Sequence, residues 1–411
     1  MKELFMGFNV PSNDEQHLVW SKCTFVFDSN VLLSLHRYNK HDRNEILKTI
    51  QSISDRVWIT YQSALDYQRN VHLVKEYEEN KYSRAVKEIK DIKSKISAAL
   101  SPFRHDFKSN ESKKIYEYVA SSEAFLDGII KDINEQRPLF ASDVEQTLLS
   151  DSINDLFKGK VGNPSPNQEY LSNLYKEADV RYKNKIPPGY LDVSKSRVYT
   201  YGNLCYETSY SDFVIWNELI DYAKENKKEY IIFVTDDLKT DWWFVSNGKR
   251  IGPRPELVEE LRIKANVKGF QIYDSEQLIE SINSYHNLPI NKSLANKLKL
   301  DKAEILINSG DGKLEAAINA GTALEQHLRE LCKINGIEIF SNPEKKNYKS
   351  AEKLNGELVS KDVYLKNYNK NITSWLGIRN EAAHGNEENY TELQVKNMIS
   401  EIKEFFDKYR I

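Results

Sequence analysis

Cysteine and methionine are scarce in this chain of 411 residues, which contains three of each. Cys23, Cys205 and Cys332 lie far apart and form no C-x-x-C pair. This spacing argues against a thiolate zinc site and favours a reducing compartment. An excess of positive charge is also missing, because the net charge at pH 7 is −3. The sequence therefore lacks a global signature of nucleic-acid binding, and any such binding must come from local patches.

Long apolar runs are absent as well. No stretch approaches the length of a membrane-spanning helix. The segment MKELFMGFNVPSNDEQ carries charge at once, and its apolar run is too short for a signal peptide. We therefore expect a cytoplasmic protein with no membrane partner. The hydrophobic content of 40% and the charged content of 29% predict a globular chain, and its length suggests two or three domains.

Strand-like runs alternate with helical patterns over the first two thirds of the chain. The predicted strands are TFVF (24–27), RVWIT (56–60), EYIIFVTDD (229–237) and FQIYD (270–274). This alternation predicts an α/β fold with a parallel sheet. Residues 163–202 are rich in Pro, Gly, Asn and Tyr, which predicts a loop.

The last third of the chain has a different pattern. The segment YHNLPINKS (285–293) is typical of a linker, and only helical patterns follow it. We therefore predict an α/β domain over residues 1–285 and an all-α domain over residues 293–411.

Carboxylates stand at the ends of the predicted strands or on the adjoining helices. Asp28 ends the first strand, and Asp236 and Asp237 end a later one. Asp66 lies on the helix after the second strand, and Asp212 begins the helix that precedes EYIIFVTDD. Ligands of open parallel sheets bind outside the carboxyl ends of the strands. We therefore expect these acids to lie near one binding site.

Converging carboxylates repel each other unless some are protonated or a cation neutralises them. Hard oxygen ligands of this kind suit Mg²⁺ or Mn²⁺. Such an ion can polarise a phosphoryl oxygen and supply a bound hydroxide for in-line attack. Taken singly, Asp28 and Asp212 are also typical helix N-caps, and only their joint placement favours a metal site.

Several segments together resemble the PIN-like branch of the PIN nuclease family. They are FVFDSNVLL, WITYQSALDYQRN, IPPGYLDVSK, SDFVIWNELIDYAKENKKEYIIFVTDDLKTDWWF and RIGPRPELVEEL. The most specific part is VTDDLKTDWW followed by GPRPEL. The resemblance covers about the first two thirds of the chain. It implies a metal-dependent ribonuclease on a Rossmann-like sheet with a helical insertion, here at about residues 72–200.

The resemblance also implies roles for particular acids. Asp28, Asp212 and Asp237 match the first, third and fourth acids of the family, and Asp236 stands beside the fourth. Asp66 replaces the usual glutamate at the second position. Because Asp is one methylene shorter, a water bridge is plausible there. The expected catalytic acids are Asp28, Asp66, Asp212 and Asp237, and the expected metal ligands are Asp28, Asp212, Asp236 and Asp237.

Two further residues are secondary candidates within these segments. Asp241 could serve as an outer acid and Lys195 as a phosphate contact. The alternatives are a surface acid before Trp242 and a solvated loop lysine.

The segment GIRNEAAHG brings Arg379, Asn380 and His384 close in sequence. It resembles the ribonuclease motif of the HEPN family, and AAINAGTALEQHLRELCKINGI resembles the first long helix of HEPN-like domains. The resemblance implies that Arg379 holds a phosphate while His384 moves a proton, so that a ribose 2′-hydroxyl attacks without a metal. The alternative is a helix end at which both side chains face the dipole and Gly385 stops the helix.

This combination resembles effectors of bacterial antiphage defence or toxin-type systems. The main prediction is a metal-dependent endoribonuclease whose helical domain is a second ribonuclease or a dimerisation or sensing module. Expected partners are RNA or DNA, a second copy of the chain bound through the C-terminal helices, and a protein of the defence system. One alternative is metal-independent cleavage by the HEPN-like motif while the PIN-like domain binds nucleic acid. The other is a non-catalytic RNA-binding or assembly module.

Overall fold

The computed structural model describes residues 5–9, 12–101, 110–136, 143–195, 197–286, 291–310, 312–342 and 347–411. The chain divides into two compact units. The first unit comprises Met1–Val31, Ser52–Ser63 and Lys160–Ile411. The second unit comprises Leu32–Gln51 and Ala64–Gly159.

The strands belong to one parallel sheet and three short antiparallel pairs in the described residues. They are β1 (Thr24–Phe27), β2 (Val57–Ile59), β3 (Val198–Tyr201), β4 (Leu204–Glu207), β5 (Tyr230–Val234), β6 (Trp243–Ser246), β7 (Lys249–Pro253), β8 (Gly269–Tyr273), β9 (Phe340–Asn342) and β10 (Asn347–Tyr348). The parallel sheet has the order β2-β1-β5-β8. The predicted parallel sheet is therefore confirmed.

The α-helices make up most of the remaining structure. They are α1 (Asn13–Lys22), α2 (Ser29–Ser34), α3 (Lys40–Gln51), α4 (Tyr61–Ala99), α5 (Asn110–Gln136), α6 (Asp143–Leu156), α7 (Gln168–Lys183), α8 (Ser211–Glu225), α9 (Pro255–Ala265), α10 (Ser275–Tyr285), α11 (Lys292–Ser309), α12 (Lys313–Ile334), α13 (Ala351–Ser360), α14 (Lys366–Ala383) and α15 (Glu392–Lys408). Helices α2 and α4 begin in the first unit and continue in the second. No helix in the described part of the chain is both long and apolar enough to cross a membrane.

The strands of the parallel sheet are almost continuously apolar because the sheet is buried on both faces. Every residue of β1 is buried, as are Ile231 to Val234 of β5. Phe27 pairs with both Ile59 and Val234, so the carboxyl ends of β2, β1 and β5 lie in one row. The chain connects β1 outward to β2 and β5 outward to β8. The crevice between the ends of β1 and β5 is therefore the switch point at which ligands bind in such sheets.

The prediction of a loop over residues 163–202 is wrong in part. Residues Gln168–Lys183 form α7, and the side chain of Asn167 caps it by accepting the backbone N–H of Tyr170 at 2.9 Å. The helix buries an apolar face that includes Leu171. The prolines of the segment all lie outside the helix, so their loop signal was correct only for its flanks.

The second unit is helical in its described residues. A buried histidine, His36, bonds to Gln146 at 2.6 Å and to the hydroxyl of Tyr67 at 3.1 Å. Burial lowers the pKa of His36 to about 4, so the ring is neutral at pH 7. The unit includes residues before the predicted insertion and ends at Gly159, whereas the insertion was predicted to run from about 72 to 200.

Helices α11 to α15 belong to the same compact unit as the parallel sheet. Helical patterns after the linker predict helices over residues 294–309, 313–334, 365–383 and 392–409, and these coincide with α11, α12, α14 and α15. Helix α13 and the β9–β10 pair were not predicted. Residues 287–290 of the predicted linker lie outside the described residues. The domain boundary between 285 and 293 stays a prediction.

The small residues of α12 are packed inside the chain. Ala316, Ala317 and Ala320 are fully buried. A Cβ atom on Gly321 would overlap the side chain of Arg379 on α14. In the sequence, AINAGTALEQHLREL (317–331) carries Ala, Leu and Gly at spacings that predict close helix approach, and in the structure that approach occurs within one chain. The homodimer predicted from the same spacing stays a prediction.

Candidate metal centre

A hydrogen-bond network around Asp28 ties the end of β1 to the end of β5. The carboxylate of Asp28 accepts the backbone N–H of Ser29 at 2.6 Å, the amide of Asn30 at 2.6 Å and the hydroxyl of Thr235 at 2.8 Å. The amide oxygen of Asn30 accepts the backbone N–H of Asp236 at 3.0 Å. The three polar residues after the first strand therefore fix the geometry of the switch point.

The turn after β5 presents Asp237 and Lys239 together. The backbone N–H of Asp237 donates to the hydroxyl of Thr235 at 3.0 Å. The carboxylate of Asp237 accepts the backbone N–H of Lys239 at 3.0 Å and contacts the ammonium of the same residue. This local turn folds the Lys239 side chain back over Asp237.

Asp212 lies in the first turn of α8 but does not cap it. The N-cap position is Tyr210, which makes no side-chain capping bond. The Asp212 carboxylate instead accepts the indole N–H of Trp242 at 3.3 Å. The alternative interpretation of Asp212 as a helix cap is therefore wrong.

Asp192 lies near Asp212 and Asp237. It ends a short 3-10 helix, Tyr190–Asp192, and is buried. The loop before it is held by Asp241, whose carboxylate accepts the backbone N–H groups of Gly189 at 3.0 Å and Leu191 at 3.2 Å. Gly189 has a φ of +91°, and a Cβ there would lie 2.9 Å from the Cβ of Asp212. Only glycine allows this close approach without strain.

Asp192, Asp212 and Asp237 each offer a carboxylate oxygen, and the three oxygens lie within 4.8 Å of one another. The ammonium of Lys239 lies 2.9 Å from Asp192 and 3.9 Å from Asp212, and it directly contacts Asp237. We call these four residues the acid centre. It gathers side chains from three separate segments around one cationic group.

The charges of the acid centre strongly influence each other. Burial raises the pKa of Asp212 well above its usual range, and Asp237 and Asp192 raise it further, while Lys239 opposes this rise. Burial disfavours the charge of Lys239, but the three carboxylates outweigh burial and raise its pKa. The ammonium of Lys239 and that of the exposed Lys195, which pairs with Asp192, are two positive charges for three carboxylates, so the centre favours further positive charge.

The residues of the acid centre fit a divalent metal ion. Carboxylate oxygens are the ligands that Mg²⁺ and Mn²⁺ prefer, and the Lys239 ammonium already stands in for a cation among them. Two buried atoms beside the centre, the hydroxyl of Tyr182 and Oδ1 of Asp241, have no hydrogen-bond partner among the described residues. Asp241 is fully buried, so its interpretation as a surface acid is wrong.

Two of the acids expected from the sequence, Asp212 and Asp237, are brought together in the acid centre. Asp192 was missed. Its only signal was its place in IPPGYLDVSK, one of the segments that carry the family resemblance. Lys195 donates to Asp192 at 2.6 Å. The assignment of Asp28 as a metal ligand stays a prediction.

The other two acids have different partners. Asp236 accepts the backbone N–H of Ser275 at 2.9 Å and its hydroxyl at 2.7 Å. Burial raises the pKa of Asp236 to about 6. Asp66 lies in the second unit, where it pairs with Arg69 at 3.0 Å. The roles expected for both acids stay predictions.

The segment GIRNEAAHG, which resembles the HEPN motif in sequence, lies at the end of α14, and the HEPN-like domain stays a prediction. Arg379 pairs with Glu325 of α12 at 2.9 Å and donates to the side-chain oxygen of Asn380 at 3.0 Å. His384 is exposed at the C-cap, where its backbone N–H donates to the carbonyl of Asn380 at 3.1 Å. Gly385 follows with a φ of +79° and ends the helix.

The parallel sheet and the acid centre at its carboxyl edge define an α/β protein equipped to hold a divalent cation. The family model described as a PIN like domain matches residues 24–257, more than half of the chain, and the protein belongs to this family. PIN-like domains are generally nucleases that use divalent metals, so membership indicates a nuclease. The searches of curated proteins and of solved structures each found no match.

Proposed function

We propose that the protein is a metal-dependent endoribonuclease in which Asp192, Asp212 and Asp237 hold Mg²⁺ or Mn²⁺. The observation that carries this proposal is the convergence of the three carboxylates within 4.8 Å, around the ammonium of Lys239. Like charges that are kept together at a ligand-binding edge are typical of a functional site rather than a stabilising one.

A metal bound at this centre supplies a Lewis acid for the phosphoryl oxygen and lowers the pKa of a bound water. The protein's own residues provide the support. Thr235 fixes the turn that presents Asp237, and Asp28 holds Thr235. The buried Asp241 holds the loop of Asp192. The side chain of Lys195 is 55% exposed, and its ammonium beside Asp192 is suited to contact a substrate phosphate.

The choice of RNA over DNA, and a role as an effector of antiphage defence or a toxin-type system, rest on the family resemblances. The HEPN-like motif offers the metal-independent alternative. In that alternative the ribose hydroxyl is the nucleophile and cleavage needs no acid centre.

The test is cleavage of labelled RNA and DNA of one sequence in Mn²⁺, in Mg²⁺ and in EDTA. We expect wild type to cut RNA with either metal and neither substrate in EDTA. Asp212→Asn should lower the rate at least about 100-fold, because even outer contacts of a metal site are worth about 10–100-fold. The matched control is Asp221→Asn, which removes the same charge from an exposed position of the same helix. It should cut at the wild-type rate.

Each other outcome contradicts a named part of the proposal. Equal cleavage in EDTA would transfer the activity to Arg379 and His384. Equal cleavage of DNA would remove the assignment of a ribonuclease. Binding of RNA without cleavage in any metal would favour the non-catalytic module.

A further inference from the structure

The turn that carries Asp237 is anchored at the residues on both sides of it. On one side, the carboxylate of Asp236 is held by Ser275, the first residue of α10. On the other side, the carbonyl oxygen of Leu238 accepts the Nε–H of Arg250 at 2.5 Å. The position of the Asp237 carboxylate therefore depends on both anchors.

Arg250 is held in turn by a residue of the C-terminal helices. Its guanidinium donates to Glu315 at 3.0 Å, and its backbone N–H donates to the same carboxylate oxygen at 3.2 Å. The side chain of Arg250 is 3% exposed and that of Glu315 is 10% exposed. Glu315 lies in the first turn of α12. A buried ion pair thus connects α12 to the turn of Asp237.

The anchor at Ser275 is also next to a contact with the C-terminal helices. Ser275 follows Asp274, which caps α10 and pairs with Lys302 of α11 at 2.9 Å. Burial disfavours the charge of Lys302, but Asp274 and Glu276 outweigh burial and raise its pKa. Helices α11 and α12 therefore reach the turn from its two ends.

We propose that Glu315, acting through Arg250, is a positioning residue for Asp237. On this view the C-terminal helices are part of the support of the metal centre. The inference rests on the proposed metal site. Its physical reason is that a ligand must be held within about 0.5 Å of its productive position by outer contacts. Without Glu315, Arg250 loses the partner that orients it toward Leu238.

The experiment measures Mn²⁺ affinity of the full-length protein by electron paramagnetic resonance, together with thermal unfolding. We expect Glu315→Gln to weaken Mn²⁺ binding about 10- to 100-fold, the range found for outer contacts of metal sites. Arg250→Lys should give a similar loss, because a lysine cannot donate to Leu238 and Glu315 in the forked geometry of arginine.

The matched control is Lys349→Met. Lys349 pairs with Glu357 of α13 at 2.8 Å, and the two side chains are 13% and 31% exposed. This variant also breaks a partly buried ion pair of the C-terminal helices, and neither of its residues belongs to the two anchors. It should lower the melting temperature and leave Mn²⁺ affinity within about twofold of wild type.

The inference is overturned if Glu315→Gln binds Mn²⁺ as tightly as wild type, or loses no more affinity than the control. If Glu315→Gln does not fold, Arg250→Lys decides by the same criterion. The metal site itself has a separate check: Asp212→Asn must bind Mn²⁺ far more weakly than wild type. If wild type and Asp212→Asn bind Mn²⁺ equally, the proposed metal site is wrong and the inference falls with it.

Discussion

The acid centre and the end of α14 gather charged residues in opposite ways. In the acid centre, three carboxylates come from segments far apart in sequence and converge on one ammonium. At the end of α14, Arg379 and His384 are five residues apart, but Arg379 pairs with Glu325, which also pairs with Arg329, and His384 is exposed at a helix cap.

The difference indicates which of the two arrangements is suited to bind a ligand. Three carboxylates beside the shared ammonium of Lys239 and the exposed ammonium of Lys195 keep an excess of negative charge partly out of water, which costs stability unless a cation binds. Arg379 has a partner of opposite charge within the protein, and the C-cap of α14 is complete. The acid centre therefore keeps an excess of negative charge that a cation would neutralise, whereas Arg379 at the end of α14 is held in an ion pair within the chain.

The largest expected effect on stability comes from removing the charge of Lys239, the cation that the three carboxylates of the acid centre share. In EDTA, Lys239→Met should lower the free energy of unfolding by about 3 kcal/mol, because it leaves three carboxylates without their shared cation. Saturating Mn²⁺ should restore most of that loss. Urea unfolding with and without the metal measures both effects.

The control for this prediction is Lys195→Met. Lys195 is 55% exposed and pairs with Asp192, so it should cost less than about 1 kcal/mol. If the two variants lose equal stability in EDTA, Lys239 is not the shared cation of the acid centre.

Part of the acid centre could be predicted from the sequence. Asp212 and Asp237 stand at a helix start and just beyond a strand end, positions that periodicity locates. Asp192 lies in a loop whose path depends on its contacts with Asp241, which no local pattern reveals. Neighbouring Asp236 and Asp237 diverge because the turn after Thr235 directs one carboxylate to Ser275 and the other to Lys239.

The fold shows the same division between local and long-range information. The parallel strands are short apolar runs and the long C-terminal helices have a strong helical period, and each was predicted close to its observed bounds. Helix α7 was missed because its prolines and asparagines suggested a loop, although they serve as its flanks and its cap. The β3–β4 and β6–β7 hairpins are short, and β3 is largely exposed, so their apolar signal was weak.

A smaller effect on stability is expected at His327 of α12. This histidine is buried, whereas His384 is exposed. The Nε2–H of His327 donates to the carbonyl oxygen of Tyr409 at 2.7 Å, and its ring stacks on Phe406. Burial lowers its pKa from 6.5 to about 4. Between pH 4 and pH 6.5 the histidine binds a proton more readily in the unfolded chain than in the folded one. The stability that the neutral His327 ring contributes is therefore fully present above pH 6.5 and is lost as the pH falls toward 4.

His327→Gln should remove that contribution to the pH dependence. Wild type should lose about 2 kcal/mol more than the variant when the pH falls from 7 to 5. Urea unfolding at the two pH values measures the difference. His36 of the second unit has a pKa lowered in the same direction and remains in both proteins, so it does not affect the comparison. Equal pH dependence in the two proteins would contradict the assignment to His327.

The smallest effect is expected at His384, and it tests the comparison most directly. Because His384 is exposed at a completed helix end, His384→Ala should cost at most about 1 kcal/mol through the lost dipole contact. Arg379→Ala should cost more, since it removes packing against Gly321 and the partner of Glu325.

On RNA in Mn²⁺, His384→Ala should cut at the wild-type rate, and neither protein should cut in EDTA. Three results together would make the end of α14 a ribonuclease site. Wild type would cut RNA in EDTA, His384→Ala would abolish that cleavage, and a 2′-deoxyribose at the cut site would block it. The ion pair of Arg379 with Glu325 would then have to open when RNA binds.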